Sequence, residues 1–119
     1  MRLLRMDHAA IQLPDVPAAV QWYTHVLGLR QVHQAHWGNH PAMMVGLTGT
    51  GIALFPAGTV EPHLALATDA DGFAEAKHEL RDRDIPYEYE DHGPTHSIYF
   101  RDPWGTRLEI TTPKEVRSS

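Results

Sequence analysis

One order of elements is written twice along this chain, and a doubling of that kind restricts the fold more than any single motif. In the first half, an apolar run over residues 5–13 stops at Pro14, and Asp15-Val16-Pro17 reads as a helix start with proline in the first turn. Ala19, Trp22, Tyr23, Val26 and Leu27 recur at helical spacing, and Gly28 suits the helix end. Strands are predicted at about 30–36, 42–48 and 51–55, with Gly49-Thr50-Gly51 as a tight turn before the last. After a linker over 57–62 the order returns. His63–Thr68 is strand-like, Asp69-Ala70-Asp71 opens a helix whose face is Phe73, Ala76 and Leu80, and that helix ends near Asp84, before Pro86. Tyr87–Glu90 reads as a strand, His92-Gly93-Pro94 breaks the chain, and Ser97–Arg101 and Thr106–Thr112 form a hairpin around Asp102-Pro103-Trp104-Gly105. The expected fold is α+β: two βαβββ modules, about 5–56 and 62–112, in one domain spanning 1–119. Each module leaves a sheet face that must be covered. Two modules facing each other would form a cup-shaped, mixed curved sheet with helices outside and histidines pointing inward.

Histidines open matching strands of the two halves. Met6-Asp7-His8-Ala9-Ala10-Ile11 and Pro62-His63-Leu64-Ala65-Leu66 both place an imidazole at the head of an apolar run. Ala53, in Gly51-Ile52-Ala53-Leu54-Phe55, follows His8 at nearly the spacing at which Glu109, in Arg107-Leu108-Glu109-Ile110-Thr111, follows His63. A carboxylate between Leu108 and Ile110 needs a partner to justify leaving water. Two imidazoles and one carboxylate, each on a strand, would make a three-ligand metal site with open positions. The bland alternative is that both histidines merely start strands while Glu109 faces solvent or Arg107.

Composition removes other chemistries. There is no cysteine, so disulfides, thiolate ligands, iron–sulfur clusters and cysteine nucleophiles are excluded, and a metal must be held by histidine and carboxylate. A net charge of −5 argues against a nucleic-acid surface. No stretch approaches a membrane span. The start, Met1-Arg2-Leu3-Leu4-Arg5, lacks a long apolar segment or a cleavage-like site, so no signal peptide is expected and the cytoplasm is the expected location.

The whole chain resembles the vicinal oxygen chelate superfamily, which includes glyoxalase I, fosfomycin-resistance proteins, bleomycin-resistance proteins and extradiol dioxygenases. The carriers are Met6-Asp7-His8, Trp22-Tyr23-Thr24-His25-Val26-Leu27-Gly28-Leu29, His63-Leu64-Ala65-Leu66, and the run Ser97–Glu109 with its strand, Asp-Pro-x-Gly turn, strand and glutamate. The resemblance implies metal ligands at His8, His63 and Glu109. It also implies a homodimer, because sites in the superfamily are often built across a dimer, with His8 then coming from a second copy. Departures from the family patterns narrow the choice. Glyoxalase I has a further glutamate where this chain has Ala53. Fosfomycin enzymes have a threonine where this chain has Ala10, and a lysine and serines without obvious counterparts in 90–96. The remaining triad is shared with extradiol dioxygenases, where it holds Fe(II) beside a catechol and O₂. Those enzymes also keep a tyrosine at the position of Tyr99, and a histidine in the preceding loop for which His96, ahead of His92, would serve.

The reading implied is a metal-dependent enzyme acting on a small molecule with vicinal oxygens, favoured as an extradiol-type dioxygenase. Fe²⁺ is the favoured ion, and Mn²⁺, Ni²⁺, Co²⁺ or Zn²⁺ are the alternatives. Tyr99 and His96 are the expected proton-handling residues. Competing readings are a glyoxalase- or fosfomycin-resistance-like lyase or thiol transferase, a bleomycin-resistance-type protein that binds an aromatic ligand without chemistry, and a dimerisation scaffold. Trp37, Met43, Met44 and Phe55 suit either a substrate pocket or ordinary core. Strand alternation would put His33 and His36 on opposite faces. Trp22 and Tyr23 are assigned to helix packing, Trp104 to an exposed turn, and Asp82, Asp84, Glu88, Glu90 and Asp91 to a solvated face.

Overall fold

The computed structural model describes residues 1–114. These residues form eight strands and three helices, and the fold is α+β with the βαβββ order repeated as expected. Two compact units result. One is Asp7–Leu64; the other joins Met1–Met6 to the chain from Ala65 onward. None of the described helices is long and apolar enough to cross a membrane.

The unit Asp7–Leu64 contains most of β1 (Arg5–Leu13), α1 (Val16–Leu27), β2 (Arg30–Val32), α2 (Gln34–Trp37), β3 (Ala42–Val45) and β4 (Gly51–Pro56). Its strands run in the order β2-β3-β4-β1, with β1 parallel to β4 and the other pairs antiparallel. Asp15 starts α1 by accepting the Ala18 N–H at 3.0 Å, and Gly28, at φ 70°, closes it by donating to the Thr24 carbonyl. Residues directly opposite share a face, so Ala10, Ala53 and Met43 lie on one side and Ile11, Leu54 and Ala42 on the other. The second side packs against Ala19, Val20 and Tyr23 of α1, with Val16, Met44 and Leu54 at its centre. Gly51 is obligatory: a Cβ there would meet the Met44 carbonyl oxygen at 2.2 Å.

Two expectations fail in this unit. The strand predicted over 30–36 stops at Val32, because His33 turns into the left-handed region at φ 55° and Gln34–Trp37 makes a helical turn. His33 and His36 therefore do not alternate across a strand. Trp22 does not pack into the core either. It is 53 % exposed and leans edge-on against Tyr23, which does the packing.

The other unit contains the end of β5 (His63–Ala67), α3 (Ala70–Asp82), β6 (Glu88–Asp91), β7 (Thr95–Arg101) and β8 (Arg107–Pro113), with strands ordered β5-β8-β7-β6. Asp69 caps α3 by accepting the Gly72 N–H at 2.8 Å. Phe73, Ala76 and Leu80 then pack on Ile98 and Ile110. The β7–β8 hairpin forms because Asp102 accepts N–H groups from both Trp104 and Thr106, and Gly105 takes φ 90°. Trp104 at its tip is 86 % exposed, as expected. The register matters for the site. Ser97 faces Thr111, Tyr99 faces Glu109 and Arg101 faces Arg107; the alternate pairs, His96–Thr112, Ile98–Ile110 and Phe100–Leu108, belong to the opposite side, where Ile98 and Ile110 meet α3.

Candidate metal centre

His8 and His63 stand together in the unit Asp7–Leu64. Each is only 7 % exposed, and their rings meet edge to face with centroids 6.0 Å apart. Neighbouring acceptors orient both rings. His8 Nδ1 lies 2.7 Å from Asp7 Oδ2, and His63 Nδ1 lies 2.9 Å from the Glu61 carbonyl oxygen. An Nδ1–H donated to a carboxylate or carbonyl puts the lone pair on Nε2, the arrangement that makes histidine a metal ligand. Both rings come from one chain, so pairing them needs no second copy to supply His8.

Next to His8 the sheet face is hydrocarbon. Gly51 stands opposite His8, and Ala10, Ala53 and Met43 form the next rung. Val45 belongs to the same cluster, and Val32, Trp37 and Phe55 pack against it. Trp37, Met43 and Phe55 thus line the His8 side, whereas Met44 is core on the α1 side. Ala53, buried among these groups, offers no ligand.

Glu109 belongs to the other unit and is 2 % exposed. Ser97 Oγ–H donates to its Oε2 at 2.6 Å. Tyr99 sits directly opposite on β7. Burial pushes the Tyr99 phenol well above its ordinary value, and the negative charges of Glu109 and Glu90 and the hydrogen bond to Glu109 add to that. The phenol therefore keeps its proton. His92 Nε2 is 2.8 Å from Tyr99 Oη, and the Arg107 guanidinium lies 4.4 Å from the centroid of the Tyr99 ring.

His96 is not part of this arrangement, contrary to expectation. It lies inside β7, one residue out of phase with Ser97 and Tyr99, and stacks on Phe73 of α3 at 4.4 Å between centroids. Its Nδ1 is 3.0 Å from Tyr89 Oη. The histidine beside Tyr99 is His92. Sequence reasoning also missed Ser97 and Asp7. Ser97 carries the alternation signal of Tyr99, two residues away, and Asp7 is adjacent to His8.

The imidazole pair in the unit Asp7–Leu64, oriented through Nδ1, is a donor set that suits a divalent first-row ion. A family model for the Glyoxalase/Bleomycin resistance protein/Dioxygenase superfamily matches residues 5–110. The chain belongs to that superfamily. Among its relatives is biphenyl-2,3-diol 1,2-dioxygenase 3 of Rhodococcus globerulus, 32 % identical over 127 aligned positions that cover 93 % of this chain and 67 % of the relative. Solved structures share the fold at lower identity. Methylmalonyl-CoA epimerase from Mycobacterium tuberculosis matches with a TM-score of 0.73 at 18 % identity, over 95 % of this chain and 90 % of that one. The 2,3-dioxygenase LapB from Pseudomonas sp. KL28 also matches with a TM-score of 0.73, at 16 % identity, over 95 % of this chain but 42 % of its own length.

Proposed function

We propose that this protein is a metal-dependent dioxygenase of the extradiol type, acting on a catechol-class substrate with two adjacent oxygens. His8, His63 and Glu109 are its metal ligands, Fe²⁺ is the ion, and the working form is a homodimer. The observation that carries the reading is the hydrogen-bonded series His92–Tyr99–Glu109, which joins a titratable imidazole to a candidate ligand through one protonated phenol. The dioxygenase relative supports the same reaction class.

Bound by two histidines and a glutamate, iron would supply Lewis acidity and one-electron chemistry, with positions left for neighbouring oxygen atoms. The protein groups handle geometry and protons. Ser97 fixes the orientation of the Glu109 carboxylate by holding Oε2. Asp7 and Glu61 fix the ring planes of His8 and His63. Tyr99 presents a single phenolic proton, held toward Glu109 before substrate binds and turned to His92 Nε2 when a substrate hydroxyl gives up its own. His92 Nε2 receives the proton lost by a substrate hydroxyl, through a Tyr99 hydroxyl that gives one proton as it takes another.

Metal content, measured by mass spectrometry on protein purified without chelator or histidine tag and reconstituted anaerobically with Fe²⁺, tests the ligand set. About one ion per chain is expected, falling to less than about 0.1 in Glu109→Ala, because a three-ligand site loses most of its affinity with one donor gone. Equal and negligible metal in both proteins would overturn the reading and leave a non-catalytic binding protein in its place. Iron bound without oxygen-dependent turnover of any catechol would retain the ligand set and overturn the reaction.

A further inference from the structure

Arg107 stands two residues before Glu109 on β8 and therefore on the same face, with Arg101 directly opposite on β7. Arg101 is exposed and engaged within the hairpin, where its Nη1 donates to the Gly105 carbonyl at 2.9 Å. Arg107 is half-buried, with its guanidinium carbon 4.4 Å from the centroid of the Tyr99 ring. Among the described residues, no carboxylate forms an ion pair with Arg107, whereas Arg2 and Arg83, both more exposed, pair with Asp69 and Glu79. The acidic groups on this face are placed otherwise. Glu109 is held by Ser97 and Tyr99, Glu90 lies 3.7 Å from His92, and Glu88 is exposed opposite Tyr99. That contact holds the guanidinium over the phenol ring, and a guanidinium carries its N–H donors as a planar fork that matches a carboxylate.

We propose that Arg107 binds a carboxylate carried by the substrate, so that the substrate class is a catechol with an anionic side chain rather than a neutral one. This rests on the dioxygenase reading for the ring. The charge subsite itself stands on Arg107. A guanidinium resting on the ring of Tyr99 would seat the carboxylate next to the phenol that contacts the reacting oxygens.

The test compares 3,4-dihydroxyphenylacetate with 4-methylcatechol on the iron-reconstituted protein. In Arg107→Met, which keeps an unbranched stem against Tyr99 but loses the charge, the ratio of kcat/KM for the anionic over the neutral substrate should fall about 10- to 100-fold, the worth of a charge-assisted hydrogen bond. Arg107→Lys should fall between, because it keeps the charge without the fork. Titration calorimetry with phenylacetate and benzyl alcohol reads the same subsite without turnover, and the Kd ratio should move in parallel. Acetate serves as the free-anion arm: binding as tight as phenylacetate would mean a general anion site and would overturn the substrate assignment. Unchanged ratios in both variants would overturn the proposal. Loss of phenylacetate binding in Arg107→Met, together with no turnover of any catechol, would uphold the carboxylate site and overturn the dioxygenase reaction instead.

Discussion

The third and fourth strands of each half meet in one rung that shows how a single frame carries two kinds of interior. In the first half the rung is Met43 opposite Ala53, enclosed by Val45, with Val32, Trp37 and Phe55 packed against it. In the second half it is Tyr99 opposite Glu109, with Ser97 bonded to the carboxylate and Arg107 over the phenol ring. Both rungs are buried. Hydrocarbon needs no partner there, whereas the polar rung persists only because hydroxyl donors and neighbouring charges satisfy it. The helices differ in the same sense. α3 sets Phe73, Ala76 and Leu80 into its core, while α1 buries only Val16 fully and leaves Trp22 and Val26 more than half exposed.

Writing the polar rung into the apolar half tests that contrast most severely. Ala53→Glu would place a carboxylate among Ala10, Met43 and Val45 with no serine or tyrosine arranged to receive it. Urea denaturation of the metal-free protein should show a loss of about 3 kcal/mol or more, the scale for an uncompensated buried charge. A variant that unfolds at the wild-type midpoint would break the comparison, because the rung would then have tolerated either interior.

Within the polar half, the two histidines near Tyr99 sharpen the contrast between site and core. Tyr99→Phe and His92→Gln should each lower kcat by about 100-fold, the usual contribution of a positioned proton-transfer group. His96→Gln should leave kcat within about twofold, because that ring sits on Phe73, away from Glu109. Steady-state rates on one catechol decide it. An equal loss from His96→Gln would restore His96 to the site and discredit the strand phase assigned here.

That phase marks the limit of what the sequence disclosed. The strand-borne His8, His63 and Glu109, the caps at Asp15 and Gly28, and the Asp-Pro-x-Gly hairpin were all readable, since each depends on local residue chemistry. His96 was misplaced because β7 begins at Thr95 rather than Ser97, which puts His96 into the alternation instead of the loop. Once it is inside the strand, parity with Ile98 sends it to α3. The early end of β2 was hidden for another reason. His33 adopts φ 55°, a conformation that its neighbours impose and that no propensity for histidine announces. From its sequence position Arg107 reads only as a partner for Glu109. Its seat on Tyr99 depends on a cross-strand register set by the hairpin.

The smallest effect separates His96 from the site by pH. Burial holds its imidazole below the ordinary value of 6.5, and the positive charges of Lys77 on α3 and Lys114 after β8 act in the same direction, with Asp91 on β6 opposing them. Lys114 also pairs with Asp91, and the Tyr89 hydroxyl contacts Nδ1, so the pocket offers His96 little room to hold a second proton. The unfolded chain thus binds this proton first as pH falls. The stabilisation is complete above the ordinary histidine value and is lost as pH drops through the lower folded-state value. Thermal melts from pH 8 to pH 5 should show part of the acid-side fall in Tm, a few degrees in scale, disappearing in His96→Gln. A pH profile of Tm that His96→Gln merely shifts downward, with no change of slope, would mean that the ring packs on Phe73 without any proton-linked cost.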